Sequence, residues 1–213
     1  LLGYGAGVLE KEGNLAQYVD NLILHGHMYM ETWDPEGLLG TIPAIATALM
    51  GVLSGEHLRS DHSPMEKAAN LFFFGSLCVL VGGLWDAWFP INKNLWTGSY
   101  VAFTGGISLI LLAACYFVID VKKYTFWTKP FVILGANAIT MYVLLSLVYR
   151  TLYYVNVTLE DGTSIMLSTY IYQRYFASWA GPLNGSLFFS LMLLMLLLGV
   201  GAILYKKRAF IKV

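Results

Sequence analysis

Five apolar stretches, none with a Lys, Arg, Asp or Glu in its interior, take up nearly half of this chain: Gly37–Gly55, Ala68–Trp85, Leu95–Ile119, Pro130–Val148 and Gly185–Tyr205. A helix rising ~1.5 Å per residue needs roughly 20 apolar residues to cross a hydrocarbon core. The second stretch is at the short end of that requirement, and the third is long enough to tilt. The sequence therefore predicts an all-α fold: a polytopic membrane helix bundle with five transmembrane helices plus short interfacial helices. The residues are 57% hydrophobic and only 12% charged, against the roughly 25% charged residues of a soluble domain. Net charge is zero, so no basic field points to nucleic acid. Any chemistry must sit at a membrane face or in a cavity between helices.

Orientation follows from the basic residues. With the span ends alternating between sides, one side receives Arg59, Lys67, Lys122, Lys123, Lys129, Lys206, Lys207, Arg208 and Lys212. The other receives only Lys11, Lys93, Arg150 and Arg174. Segments flanking helix ends on the cytoplasmic side carry the Lys/Arg excess, so the C-terminus is expected inside, with residues 1–36, 86–94 and 149–184 outside. Most of the aromatic and acidic loop residues then face out, where an interfacial aromatic belt accounts for Trp88, Trp179 and the tyrosines of 149–175.

Between the spans the sequence predicts smaller elements. Leu15, Tyr18, Val19, Leu22 and Ile23 recur with a period near 3.6 and predict a short amphipathic helix within 14–30. The 149–182 segment is long for a loop, and Met166–Phe176 reads as a second interfacial helix. Leu1-Leu2, with no initiator Met before it, reads as the tail of an earlier helix. Cys78 and Cys115 lie inside apolar runs and read as packing residues. His57 and His62, in a polar connection, are assigned no role.

Four places carry polar chemistry. Asp34-Pro35-Glu36-Gly37 has the composition of a helix start, with Asp34 as N-cap and Pro35 at the first helical position. The same residues, with His25 and His27, place carboxylates and imidazoles at the mouth of a cavity. A metal site is the weakest reading there: two His at i, i+2 do not share a helix face, and no third ligand is fixed by spacing. Asn92-Lys93-Asn94-Leu95-Trp96-Thr97-Gly98-Ser99-Tyr100 is the densest polar-aromatic cluster, at the mouth of the third span. Asn137 is the one strong amide within the fourth, suited to a helix–helix hydrogen bond or to a cavity lining. Pro43, Thr41 and Thr47 interrupt the first, where Gly51-x-x-x-Gly55 favours close helix packing.

Taken together, these motifs resemble a known family. Asn14-Leu-Ala-Gln-Tyr18-Val-Asp20 through His25-Gly-His27-Met-Tyr29, then Trp33-Asp34-Pro35-Glu36-Gly37, then Ile91-Asn92-Lys93-Asn94-Leu95-Trp96, are similar to the transmembrane acyltransferases typified by heparan-α-glucosaminide N-acetyltransferase, in their bacterial form. Gly135-Ala-Asn137-Ala-Ile139 and the ending Tyr205-Lys-Lys-Arg-Ala-Phe-Ile-Lys-Val continue the likeness. The resemblance implies that residues 1–213 are the C-terminal membrane domain of a longer enzyme. That enzyme would use cytoplasmic acetyl-CoA as co-substrate and acetylate an amino sugar on the far side of a bacterial inner membrane. The family's catalytic histidine belongs to the N-terminal half, and His27 matches a different, later position, so the catalytic residue is unassigned here and the 213 residues alone are expected to be inactive. What carries over is a substrate-binding lining: Asp34, Glu36, Asn92, Lys93, Trp96 and Asn137. The implied partners are the bilayer, the N-terminal half of the protein, the small amino-sugar acceptor and a second copy in a homodimer. The rival reading is an amino-sugar transporter or channel-like subunit without covalent chemistry, and a third is a packing scaffold.

Overall fold

The computed structural model describes residues 7–159 and 162–209. The helical tail expected at Leu1-Leu2 and the basic residue Lys212 lie outside the described residues. The chain divides into two compact units, Leu1–Tyr124 and Thr125–Val213. Among the described residues, four helices are long and apolar enough to cross a membrane, or five if a bent pair counts as one span, so the all-α polytopic reading holds.

In the first unit, α1 (Leu15–Ile23) is the amphipathic helix expected. The Asn14 side chain accepts from the Gln17 amide at 2.9 Å, and Gln17 Oε1 accepts in return from the Gly13 amide at 2.5 Å. This reciprocal pair satisfies one donor left open by the first turn, the Gln17 amide, and ties down the residue before the cap.

Helix α2 (Leu38–Arg59) begins later than its sequence suggests. Asp34 is not its N-cap and Pro35 is not in its first turn. Gly37 holds the cap position, and the capping carboxylate comes from α1: Asp20 Oδ1 accepts from the Leu38 amide at 2.9 Å. Asp20 is 1% exposed and fills the place where a side chain on Gly37 would begin. Only glycine admits that approach. Asp34 instead shapes its own loop, accepting from the amides of Tyr29 and Glu36 at 3.0 and 2.8 Å.

Helices α3 (Pro64–Trp85) and α4 (Gly98–Tyr116) pack antiparallel along a glycine seam. A Cβ on Gly106 would lie 2.6 Å from the Gly75 carbonyl oxygen, and one on Gly82 would lie 2.5 Å from the Phe103 nitrogen. The two backbones therefore touch, as small residues allow in membrane helices. Ala68, Leu71, Val101 and Ala113 are buried along these two helices. Thr97 caps α4, so that helix starts at Gly98 and not at Leu95. A π-helical turn, Phe117–Val121, ends it. At the α2–α3 turn, Lys67 donates to the Leu58 carbonyl at 2.9 Å and His62 pairs with Glu66 at 3.1 Å.

In the second unit the expected fourth span is broken. Helices α5 (Lys129–Gly135) and α6 (Ala138–Tyr154) meet at 82°. Asn137 is therefore not mid-helix: it holds the N-cap position of α6 at the elbow, with φ −129° and ψ 42°, and is buried. A short antiparallel hairpin follows, β1 (Asn156–Thr158) with β2 (Ser164–Met166), Val157 opposite Ile165. The sequence gives this hairpin no signal, because three-residue strands fall below any detectable alternation. The expected interfacial helix is α7 (Leu167–Tyr172), extended by a π-helical turn over Gln173–Ala177. Helix α8 (Ser178–Lys206) is interrupted at Gly181, where φ is +76°, just before Pro182. The apolar run of the fifth span lies beyond that kink.

Candidate functional site

The polar-aromatic loop between α3 and α4 is held as a clasp. The Asn92 amide donates to Thr97 Oγ1 at 3.0 Å, and the Thr97 amide donates back to the Asn92 carbonyl at 3.2 Å. Asn92 Oδ1 accepts from the amides of Asn94 and Leu95 at 2.8 and 3.4 Å, while its Nδ2 donates to the Leu9 carbonyl at 2.7 Å. Thr97 Oγ1 donates to the Pro90 carbonyl at 2.9 Å. Ser99, fully buried, lies 3.1 Å from the same hydroxyl. Asp86 enters from the end of α3, accepting from the Ile91 amide at 2.6 Å.

What the clasp fixes is Trp96. Its φ is +50°, a left-handed conformation that bulky residues adopt only when their surroundings enforce it. The indole crosses to α2 and donates from Nε1 to Thr47 Oγ1 at 3.2 Å, with Tyr100 edge-on at 5.3 Å. Gly40 lies beneath, where a Cβ would be 3.9 Å from the Leu95 carbonyl oxygen and 4.0 Å from Trp96 Cβ.

Trp96 is thereby the shared wall of two cavities. One, of about 250 Å³, is bounded by Pro35, Glu36, Gly40, Thr41, Ala44 and Trp96. It brings together an exposed carboxylate, a hydroxyl and an indole. The other, of about 900 Å³, is an apolar groove along Leu15, Leu39, Ile42, Ala46 and Phe89, with Trp96 at its edge. A third, of about 390 Å³, follows α2 and α4 past Thr47, Ser54, Thr104 and Ser108. These four hydroxyls all donate back to carbonyls of their own helices.

The six residues singled out by sequence divide accordingly. Glu36 and Trp96 reach one cavity. Asp34 and Asn92 give their side chains to loop backbone beside it. Lys93 is exposed on the clasp, and its carbonyl accepts from the Trp96 amide at 3.3 Å. Asn137 belongs to the second unit and its elbow. Thr41 and Thr47 are part of the site although sequence reasoning treated them as kink residues. Their i−4 hydroxyl bonds to Gly37 and Pro43 are common in membrane helices and hide their place in the site. Among the basic residues, Lys122, Lys123 and Lys129 are exposed at helix ends, as is Arg208.

A cavity lined by a carboxylate and an indole suits an ammonium group, for which a carboxylate offers a charge-assisted hydrogen bond and an aromatic ring its quadrupole. Comparison with known proteins bears on what such a cavity could receive. The chain is similar to heparan-alpha-glucosaminide N-acetyltransferase. The mouse enzyme is 34% identical over 153 residues, covering 62% of this chain and 23% of the enzyme. The human enzyme is 33% identical over 153 residues, covering 62% of this chain and 22% of the enzyme. The chain thus spans under a quarter of the length of these relatives. No family model matches the sequence. The resemblance read from the motifs is borne out at the level of the family.

Proposed function

We propose that this chain forms part of a membrane-bound N-acetyltransferase that moves an acetyl group from acetyl-CoA to a glucosamine-like amino sugar across the membrane. The similarity to the two glucosaminide N-acetyltransferases carries this reading. The cavity between Glu36 and Trp96 supports it, having the chemistry that an amino sugar presents: an amine, hydroxyls and an apolar ring face. In this reading the mouth at Asp34–Gly37 and Asn92–Trp96 faces out, and the C-terminus with its basic residues faces the cytoplasm of a bacterial inner membrane. Lys122, Lys123, Lys129 and Arg208 then supply cations on the side from which CoA phosphates arrive.

An amino-sugar amine is protonated near neutral pH, and only its neutral form attacks a thioester. Glu36 receives the ammonium as a charge-assisted hydrogen bond, and a base at the mouth takes its proton. The freed lone pair adds to the acetyl carbonyl, the adduct nitrogen gives up its second proton as the tetrahedral oxyanion collapses, and the C–S bond breaks to release the CoA thiolate, which takes up that proton. Donors aimed at that oxyanion stabilise the step. The catalytic base is unassigned among these residues. Asp34 and Asn92 hold the loops that frame the acceptor, and Lys93 supplies a positive charge at the rim.

The test is acetyl transfer by the full-length protein in detergent, with acetyl-CoA and glucosamine. Acetylated sugar above the level of a Glu36→Gln, Trp96→Ala double variant is the expected result, and none above that level contradicts the reading. The broken helices favour one other reading, an amino-sugar transporter, because interrupted spans line transport pathways. The 82° elbow at Asn137 and the Gly181–Pro182 kink are such interruptions. Uptake of labelled glucosamine into proteoliposomes lacking acetyl-CoA would decide for it.

A further inference from the structure

We infer that Thr47 is a positioning residue for the acceptor site: its hydroxyl takes the hydrogen bond of the Trp96 indole and so holds that ring where it walls the smaller cavity. The inference rests on the reading of that cavity as the amino-sugar site. It adds a residue that acts through Trp96, since Thr47 is not among those that bound the cavity.

Thr47, Ser54, Thr104 and Ser108 all donate to carbonyls of their own helices, as hydroxyls in membrane helices commonly do. Of these four, Thr47 also accepts from another element, the Trp96 Nε1–H at 3.2 Å. A hydroxyl has one hydrogen and two lone pairs, so donating to the Pro43 carbonyl at 3.3 Å leaves Thr47 able to accept. The indole has a donor and no acceptor. In an apolar span an unpaired N–H is costly, and Thr47 removes that cost.

The Trp96 side chain is held at its root and at its tip by different elements. At the root, the bonds between Asn92 and Thr97 fix the backbone, with φ at +50°. A Cβ on Gly40 would lie 4.0 Å from Trp96 Cβ. Thr47 is seven residues further along α2, about 10.5 Å at 1.5 Å per residue and close to the same face. The side chain therefore runs along the helix from Gly40 to Thr47. Restraint at the root leaves the two side-chain torsions of a tryptophan open. Tyr100 packs edge-on at 5.3 Å, a contact between rings that does not direct the N–H. The bond to Thr47 does direct it, and points the nitrogen edge of the ring at α2. Without that bond the ring is released to turn, and the wall of the cavity of about 250 Å³ turns with it.

The experiment is a double-mutant cycle in the full-length protein, with glucosamine and acetyl-CoA as substrates. Thr47→Val keeps the size of the side chain and removes the acceptor, while Trp96→Phe keeps a ring and removes the donor. In the wild-type background Thr47→Val should raise the KM for glucosamine about fivefold, the worth of one neutral hydrogen bond. The kcat and the KM for acetyl-CoA should stay as they are. In the Trp96→Phe background Thr47→Val should change nothing, because the bond it removes is already gone. Thr47→Ser keeps the hydroxyl and should match the wild type. An equal effect of Thr47→Val in both backgrounds, or an unchanged KM in the single variant, overturns the inference and leaves amino-sugar transfer standing. If the wild type acetylates no sugar, the transfer reading fails, and the hold on Trp96 is decided separately by the Raman band of its indole N–H. That band is isolated as the difference from Trp96→Phe. A hydrogen-bonded indole in the wild type and in Thr47→Ser, shifted to an unbonded one in Thr47→Val, supports the hold, and the same band in all three overturns it.

Discussion

The α3–α4 seam and the Trp96 mouth lie in the same unit and are built on opposite principles. Along the seam, Gly75, Gly82 and Gly106 bring backbone against backbone, with no cavity between the helices at those points and no strained residue. At the mouth, a hydrogen-bonded clasp holds a bulky side chain at φ +50° between cavities of about 250 and 900 Å³. Close packing that leaves no room for a ligand marks the seam as structural. Polar restraint that maintains open space against α2 supports the proposal that the mouth is where the acceptor binds. The difference teaches where substitutions should separate stability from function.

The largest expected effect lies on the seam. Gly82→Leu forces a side chain into the Phe103 backbone and should cost about 3 kcal/mol or more, read as a large drop in thermal midpoint and folded yield. Any protein that still folds should turn over normally, and a folded but inactive variant would blur the distinction between the two regions. Next is Trp96→Ala, which removes the wall of both cavities. It should lower kcat/KM at least tenfold, or about 1.4 kcal/mol, and also reduce the thermal midpoint, because a large ring at a helix mouth packs as well as binds. A change in midpoint alone would return Trp96 to the structural class.

Asp20→Ala tests a residue that serves the mouth only by starting α2. Loss of the cap to Leu38 should cost about 1–2 kcal/mol, with Asp20→Asn recovering most of it and KM following stability. The smallest effect on the fold belongs to Lys93→Ala. Its exposed side chain should matter within about 0.5 kcal/mol for stability, while turnover falls by more than the midpoint predicts. Equal turnover in this variant and the wild type would remove Lys93 from the site.

Much of this was legible in sequence, for reasons that also explain the omissions. Hydropathy locates spans because lipid tolerates few charges: four of the apolar runs fall on helices long enough to span, and the fourth in chain order falls on a pair bent by 82°. The elbow at Asn137 escaped because Gly135-Ala136-Asn137 interrupts the helix without lowering hydropathy enough to split the run. The cap of α2 escaped because its carboxylate, Asp20, comes from 18 residues upstream, whereas local pattern reading pointed to the nearer Asp34. The cluster from Asn92 to Tyr100 was visible as polar character entering a membrane, where polar groups need partners. Which of its side chains faces a cavity was not visible. The positive φ of Trp96 comes from hydrogen bonds between Asn92 and Thr97, and nothing in the identity of a tryptophan announces it.

The most direct measurement is the KM for glucosamine of the full-length protein with Glu36→Gln, alongside its thermal midpoint. The substitution keeps the shape of an exposed side chain and removes the charge from the cavity that Trp96 also lines. Binding of a protonated amine in this cavity predicts a KM raised about tenfold, the loss of one charge-assisted hydrogen bond, with the midpoint unchanged. A KM equal to that of the wild-type protein would contradict the assignment of the acceptor to this cavity.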